Sequence, residues 1–348
     1  MDSKINLIGL SRAELEQMAL DMGEKAYRGR QIFKWIYKRL VFDFEQMTDI
    51  RAEVRRVLAQ KYEISLPQII EQRKSRDGTQ KLLLELHDGH LIEAVLIFDD
   101  DSDRRTLCIS SQAGCALGCH FCATGFLGLA RNLSAGEIIA QVLLVREQFG
   151  DKDAFDNLVF MGMGEPLLNY EKVKTAIDIL TDSLGPMLGA KRITVSTSGI
   201  VPGILKLAQS GSKVNLAISL NAPDDETRLK LMPVTKSYPL DEIMRAVKKW
   251  TKVHARRVTF EYILFKGIND REEDALKLAQ LVRGVPCKIN LLAYNPVAGA
   301  GFERPDEKDV ERFAKILYPR TPAVTVRKSR GQDIEAACGQ LAGKRRKS

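Results

Sequence analysis

Residues 106–122 read TLCISSQAGCALGCHFC. The stretch opens on an apolar strand segment, 106–109, and ends in three cysteines, Cys115, Cys119 and Cys122, spaced Cys-x3-Cys-x2-Cys. Three thiolates cannot complete a site that takes four protein ligands. Structural zinc sits in a closed tetrahedron of four. A cubane [4Fe–4S] cluster also takes four, so three cysteines leave one iron with an open position. An open iron can hold a substrate or a small cofactor, which makes a site for chemistry rather than a staple. The alternatives are buried structural thiols, or zinc with His120 as fourth ligand, although His120 is wedged between two of the cysteines.

Downstream of this stretch, strand and helix periodicities alternate. Candidate strands are 106–109, 158–161, 193–196, 214–220, 258–264 and 288–292, and the first intervening helix opens with a capping box, Ser134-Ala-Gly-Glu137. Six β-α units in succession imply parallel strands and a closed or partly closed barrel, with a flat doubly wound sheet as the alternative. Upstream, Ser11-Arg-Ala-Glu14 caps a short helix that Gly23 closes, and Ile32, Phe33, Ile36, Tyr37 and Leu40 form an apolar helical stripe. Between these parts, 81–86 and 91–98 flank Asp88-Gly89 as a hairpin. The expected fold is α/β: a helical N-terminal domain (1–65), a β-hairpin connection (66–103), a partial TIM-like (β/α)6 barrel (104–325) and a C-terminal segment (326–348).

The 348 residues are 45% apolar and 28% charged, a soluble globular composition. No apolar run is long enough to span a membrane, the N-terminus lacks the shape of a signal peptide, and six cysteines do not form a secreted disulfide pattern. A cytoplasmic protein is expected, with no membrane partner. Net charge is +8, with basic clusters at 25–39, 248–257 and 344–347. These favour a polyanionic partner.

In a parallel α/β fold, functional groups gather at the C-terminal ends of strands. The cysteine triad follows the first strand, and Gly162-Met-Gly164-Glu165-Pro166 follows the second. Ser196-Thr-Ser-Gly199 follows the third, Ser219-Leu220-Asn221 ends the fourth, and Asn295 follows the sixth. Two glycines let a ligand approach the backbone, and Glu165 can receive an ammonium group.

The cysteine spacing, with Phe121 before the last thiol, resembles the signature of radical S-adenosylmethionine enzymes. The resemblance narrows with Thr106–Cys115, Arg131-Asn-Leu-Ser134, Met161–Tyr170, Val195–Gly199, Leu231-Met-Pro233 and Ala336-Ala-Cys338-Gly-Gln-Leu341, which look like the RlmN type of methyltransferase. It runs from Tyr27-Arg-Gly-Arg in the N-terminal helices to residue 341, nearly the full chain. It implies a radical SAM barrel whose [4Fe–4S] cluster is held by Cys115, Cys119 and Cys122. S-adenosylmethionine is implied at Gly164, Glu165, Ser196, Ser219, Leu220, Asn221 and Asn295, with two molecules used per turnover. The family methylates adenine C2 in 23S rRNA and in tRNA, and an external flavodoxin-like electron donor and a monomeric state are expected.

Adenine C2 lies between two ring nitrogens and is too electron-poor for polar methyl transfer. The resemblance therefore implies that Cys338 is methylated first and delivers the carbon as a radical. Cys108 then frees the product through a transient disulfide with Cys338, and Glu93 accepts a proton. Read without the resemblance, Cys108 and Cys338 are small buried hydrophobes. Cys287 is read as a core residue. Asn221 stands where the family often has His, and it cannot titrate near neutral pH. The helical N-terminal region and the basic clusters are candidates for holding RNA phosphates, and charge reversal at Arg28 and Lys38 is expected to weaken RNA binding while leaving uncoupled cofactor cleavage intact. The competing readings are a Cfr-type enzyme methylating C8 of the same adenine, and a non-enzymatic iron–sulfur protein that binds RNA.

Overall fold

The computed structural model describes residues 4–99, 103–150 and 154–343, and the basic cluster at 344–347 lies outside them. Ten strands form one sheet whose spatial order is the chain order. They are β1 (Gln68–Lys74), β2 (Gln80–Glu85), β3 (Leu91–Asp99), β4 (Arg104–Cys108), β5 (Asn157–Phe160), β6 (Ile193–Thr197), β7 (Asn215–Ser219), β8 (Val258–Leu264), β9 (Cys287–Ala293) and β10 (Val324–Arg327). Pairing is antiparallel from β1 to β4 and parallel from β4 to β10.

All six expected parallel strands are present, and β10 adds a seventh. The sequence reading passed over it because a four-residue strand at the sheet edge, half-buried to exposed, has no clear alternation. The segment read as a hairpin holds three strands, and they continue the barrel sheet rather than standing apart from it. The sheet curls: Cys108, Val159, Ser196, Ser219, Glu261, Leu292 and Arg327, one from each of β4–β10, line a single cavity. It does not close, because β1 and β10 remain its two edges.

The crossover helices form where the sequence caps and patterns them. Both capping boxes are made, at Ser11 and Ser134. Helix Leu240–His254 buries Ile243, Met244, Val247 and Trp250 along one stripe. Helix Ala135–Phe149 also reaches the site, since buried Gln141 accepts from Ser110 N (2.8 Å) and donates to Ser110 O (2.9 Å). That pair of bonds fixes the chain where it leaves β4.

At the N-terminus, helices Arg12–Asp21 and Tyr27–Tyr37 pack with almost no space between them. A Cβ on Gly29 would lie 2.3 Å from the Leu15 carbonyl oxygen. Fully buried Tyr37 accepts from Gly9 N (2.7 Å), and its own carbonyl accepts from Arg146 of the first barrel helix (3.3 Å). The helical domain is thereby fastened to the barrel. Leu40, expected in the apolar stripe, lies past the helix end at φ 55°.

Two expectations about charge change. Arg28 donates to Gln31 and to the Asp49 carbonyl beside Glu24, so it holds the helical domain together instead of reaching outward. Lys38 is exposed. The 248–257 cluster occupies the end of a helix that leads into the start of β8. It therefore sits at the rim opposite the C-terminal strand ends.

Gly29→Ala should push the first two helices apart and lower stability by about 1–3 kcal/mol, as overpacking does. Urea denaturation measures it, and an unchanged midpoint would mean that the helices separate freely.

Candidate active site

The cysteine loop runs from β4 into a single helical turn, Ala123–Phe126. Cys115 N donates to Gly128 O (2.8 Å), Cys122 N to Cys119 O (3.1 Å) and His120 N to Leu231 O (3.0 Å). The Phe121 ring packs on Phe265 at 5.2 Å. His120 Nδ1 is engaged with Lys230 O at 2.9 Å on the exposed side, so it is not turned toward the thiols. Burial, reinforced by Cys122, pushes the Cys115 thiol up to about 12. It raises Cys119 further still, again with help from the neighbouring cysteines.

Cys115, Cys119 and Cys122 all open onto the central cavity, of about 250 Å³. Among the described residues, no three His, Cys, Asp or Glu side chains converge on one point as a single-ion site requires. Thiols spread around a cavity suit a cluster, whose thiolates bind different irons. With His120 turned to Lys230 O, the three thiols that line the cavity are the donor set a three-thiolate cluster takes.

The glycine-rich turn after β5 brings a carboxylate to the same wall. Gly164 has φ +99°, and a Cβ there would meet the Gln112 side chain at 2.5 Å. Glu165 is buried, with Oε1 accepting from Leu167 N (3.0 Å) and Oε2 from Ser198 N (2.7 Å). Burial raises its pKa, so a bound ammonium group would relieve an unfavourable charge. Ser196, Ser219 and Asn221 also line the cavity. Asn221 adopts φ 58°, a conformation in which Asn and His are both enriched, so Asn suits this position as well as His would. Its Oδ1 accepts from Ile263 N (3.0 Å) and its carbonyl from Asn269, which makes it a brace between strand ends. Leu220 lies behind the wall, with its backbone bonded to Glu261 O and Arg228.

After β10 the chain crosses the open side of the sheet as a strap, residues 331–343. Gly331 N donates to Asp77 (2.7 Å), and Asp333 accepts from Ser75 and from Arg76 N. Glu335 O accepts from Lys81 Nζ (3.0 Å). Gly339 O accepts from Ala123 N (2.8 Å), and Leu341 O from Thr124 (2.6 Å). The strap so held places Cys338 on the cavity wall, together with buried Cys108. Cys338 lines the cavity with part of its surface exposed, and desolvation by the surrounding protein, then Glu261 and Cys122, pushes its thiol up to about 12. Cys108 is likewise pushed up to about 12, by burial and then by Cys338, and both thiols are free.

Glu93 and Asn295 sit beside the strap rather than on the cavity wall. Glu93 pairs with Lys81 (3.1 Å) and accepts from Ala342 N (2.9 Å). Lys81 and Glu93 thus hold the strap on both sides of Cys338. Asn295 donates to Cys338 O (3.4 Å) and accepts from Gln332 (3.0 Å) and Arg304 (3.2 Å).

Two further residues escaped sequence reading. Arg228 is completely buried and donates to Leu220 O (3.0 Å), Ser219 O (3.2 Å), Ser198 O and Thr235 Oγ1 (3.1 Å). Burial lowers its pKa to about 10, which leaves it charged at neutral pH and close enough to Cys119 to stabilise a thiolate there. Glu261 lines the cavity from mid-β8 and accepts from Asn290 (2.9 Å); burial raises its pKa. Arg228 carries no motif of its own. A Glu inside the apolar run 258–264 was a usable signal.

The family model "Radical SAM superfamily" matches residues 109–279, and "Ribosomal RNA large subunit methyltransferase N-terminal domain" matches residues 5–64. A dual-specificity RNA methyltransferase RlmN from Alcanivorax borkumensis is 44% identical, covering 98% of this chain and 91% of that one. The namesake protein from Desulfotalea psychrophila is 47% identical, covering 97% and 95%. The chain belongs to the RlmN family of radical SAM methyltransferases. Its fold agrees with that of a radical SAM methyltransferase from Sphaerobacter thermophilus, whose crystal structure matches at TM-score 0.92 and 44% identity over 98% of this chain and all of that one. Membership of the superfamily entails a [4Fe–4S] cluster and S-adenosylmethionine. Among the described residues, no helix is long and apolar enough to cross a membrane.

Removing one partner of a buried ion pair leaves the other charge stranded. Lys81→Met should therefore cost about 3–5 kcal/mol and speed amide exchange across residues 335–342, while adding Glu93→Gln should recover part of the loss. Unchanged exchange in the single variant would mean that the pair does not hold the strap.

Proposed function

We propose that this chain methylates C2 of an adenosine in 23S rRNA and in tRNA, using Cys338 as the methyl carrier. The observation that carries this reading is that Cys338 and Cys108 share one cavity wall with Cys115, Cys119 and Cys122. A protein that only binds RNA through an iron–sulfur cluster has no use for two extra thiols at that place.

Cys115, Cys119 and Cys122 would hold the cluster, leaving one iron free for the amino and carboxylate groups of S-adenosylmethionine. Glu165 would receive the ammonium group, while Gly164 lets the cofactor lie against the backbone, and Ser196, Ser219 and Asn221 would border its ribose and adenine. When bound, the cluster and cofactor together supply a methyl group and a hydrogen-abstracting 5′-deoxyadenosyl radical, so two cofactor molecules and an external electron donor serve each turnover. Cys338 would accept the methyl group on sulfur and present that carbon to the adenine. After the adduct has given up one electron and its C2 proton, the Cys108 thiolate would attack the Cys338 sulfur. The carbon–sulfur bond would break with its electron pair on carbon, which takes a proton to become the methyl group, and the disulfide so formed would be reopened by a reductant. Glu93, paired with Lys81 in this arrangement, would take up the C2 proton once the strap moves.

Relatives named RlmN, matched over nearly the whole chain, support the RlmN type over the Cfr type. Mass spectrometry of nucleosides from RNA treated with the reconstituted enzyme should yield 2-methyladenosine. Finding 8-methyladenosine would place the chain with the Cfr type, and finding neither would end the enzyme reading.

A further inference from the structure

The cations on the cavity wall all come from one stretch. Of the residues that line it, only Arg327, Lys328 and Arg330 carry a positive charge, and they lie within four consecutive positions. The stretch leaves the C-terminal end of β10, on the rim shared with the cysteines, and runs into the strap eight residues before Cys338 by way of Arg330. Arg330 is already engaged within the fold. Arg327 and Lys328 are exposed, and Arg327 is near enough to Glu261 and Cys338 for its charge to be felt by both. Between them and Arg330, the Ser329 hydroxyl is buried and finds no hydrogen-bond partner among the described residues. A buried hydroxyl without a protein partner is free to bond a water or an incoming ligand group.

We propose that residues 327–330 form the phosphate clamp for the RNA strand whose adenosine enters the cavity. The assignment rests on the RNA methyltransferase reading and adds to it the surface that grips the substrate. An adenine can reach Cys338 only when swung out of its stack into the cavity. A nucleotide is short, so its own phosphates then stay at the mouth, where Arg327 and Lys328 project. Guanidinium, ammonium and hydroxyl groups are the usual phosphate donors, and they fix register without reading sequence. Placing the clamp on the segment that continues into the methyl carrier ties the position of the backbone to that of the reacting carbon. The other basic groups are less suited: Arg28 is spent on its own domain, and the 248–257 cluster faces the opposite rim.

The test compares two equal changes of charge in the cluster-loaded, full-length protein. Arg327→Gln/Lys328→Gln removes two cations at the mouth, and Lys248→Gln/Lys249→Gln removes two at the far rim. Binding of an unmodified tRNA transcript is followed by fluorescence anisotropy across a salt series, with thermal melting to verify that both variants fold. The mouth variant should bind at least several-fold more weakly, and its slope of log K against log salt should be shallower by about 1.5, the effect of two lost phosphate contacts. The rim variant should follow the unaltered protein. Equal losses in both variants, or none in the mouth variant, would overturn the clamp while leaving the methyltransferase reading intact. Failure of the unaltered protein to bind or methylate the transcript would instead overturn that reading, and the clamp with it.

Discussion

Seven parallel strands run in one direction, and everything functional in this molecule depends on that constraint. Parallel pairing sends every strand's C-terminal end to the same rim, so loops distant in sequence meet around one cavity. The sheet stays open between its edges, and that gap gives the last segment of the chain a route across the mouth. Had the strands closed upon themselves, the strap could not bring Cys338 to within reach of Cys108. The antiparallel strands β1–β3 give the strap its far anchorage through Asp77, Lys81 and Glu93.

Burial dominates the electrostatics of the cavity wall. Thiols pushed up to about 12 and a buried Glu165 whose pKa is raised all carry the cost of desolvation. A cluster takes its thiolates with loss of their protons, and an ammonium group restores the charge on Glu165. Arg228 acts in the opposite sense. Its guanidinium is buried, among the described residues without a carboxylate hydrogen bond or salt bridge, and is tied instead to carbonyls at and just past the ends of β6 and β7. A fixed positive charge there both braces the strand ends and favours the thiolate of Cys119.

Much of this was legible in the sequence, for definite reasons. The cysteine spacing lies within eight residues, and the strand periodicity is local, so neither requires knowledge of the fold. Gly164, Glu165, Ser196 and Ser219 could be grouped because each lies at or just past the end of a strand, and parallel strands end together. Glu93 shows the limit. Its partner Lys81 lies diagonally across the β2–β3 ladder, where Lys81 faces Val95 and Leu83 faces Glu93, and only the register reveals the pair. Asn295 follows a strand as expected, yet the strap lies over it, so its amide meets Cys338 O instead of the cavity. Arg228 was illegible because all of its partners are backbone carbonyls or a hydroxyl, and these leave no trace in side-chain patterns.

The account turns on a claim about one atom: the carbon given to RNA passes through the sulfur of Cys338. The most direct measurement is peptide mass spectrometry on the Cys108→Ala protein after incubation with cofactor, reductant and RNA. Without the resolving thiol, the protein should accumulate a covalent RNA adduct, mapped to Cys338 through a one-carbon link. Normal turnover without an adduct, or an adduct on any other residue, would contradict it.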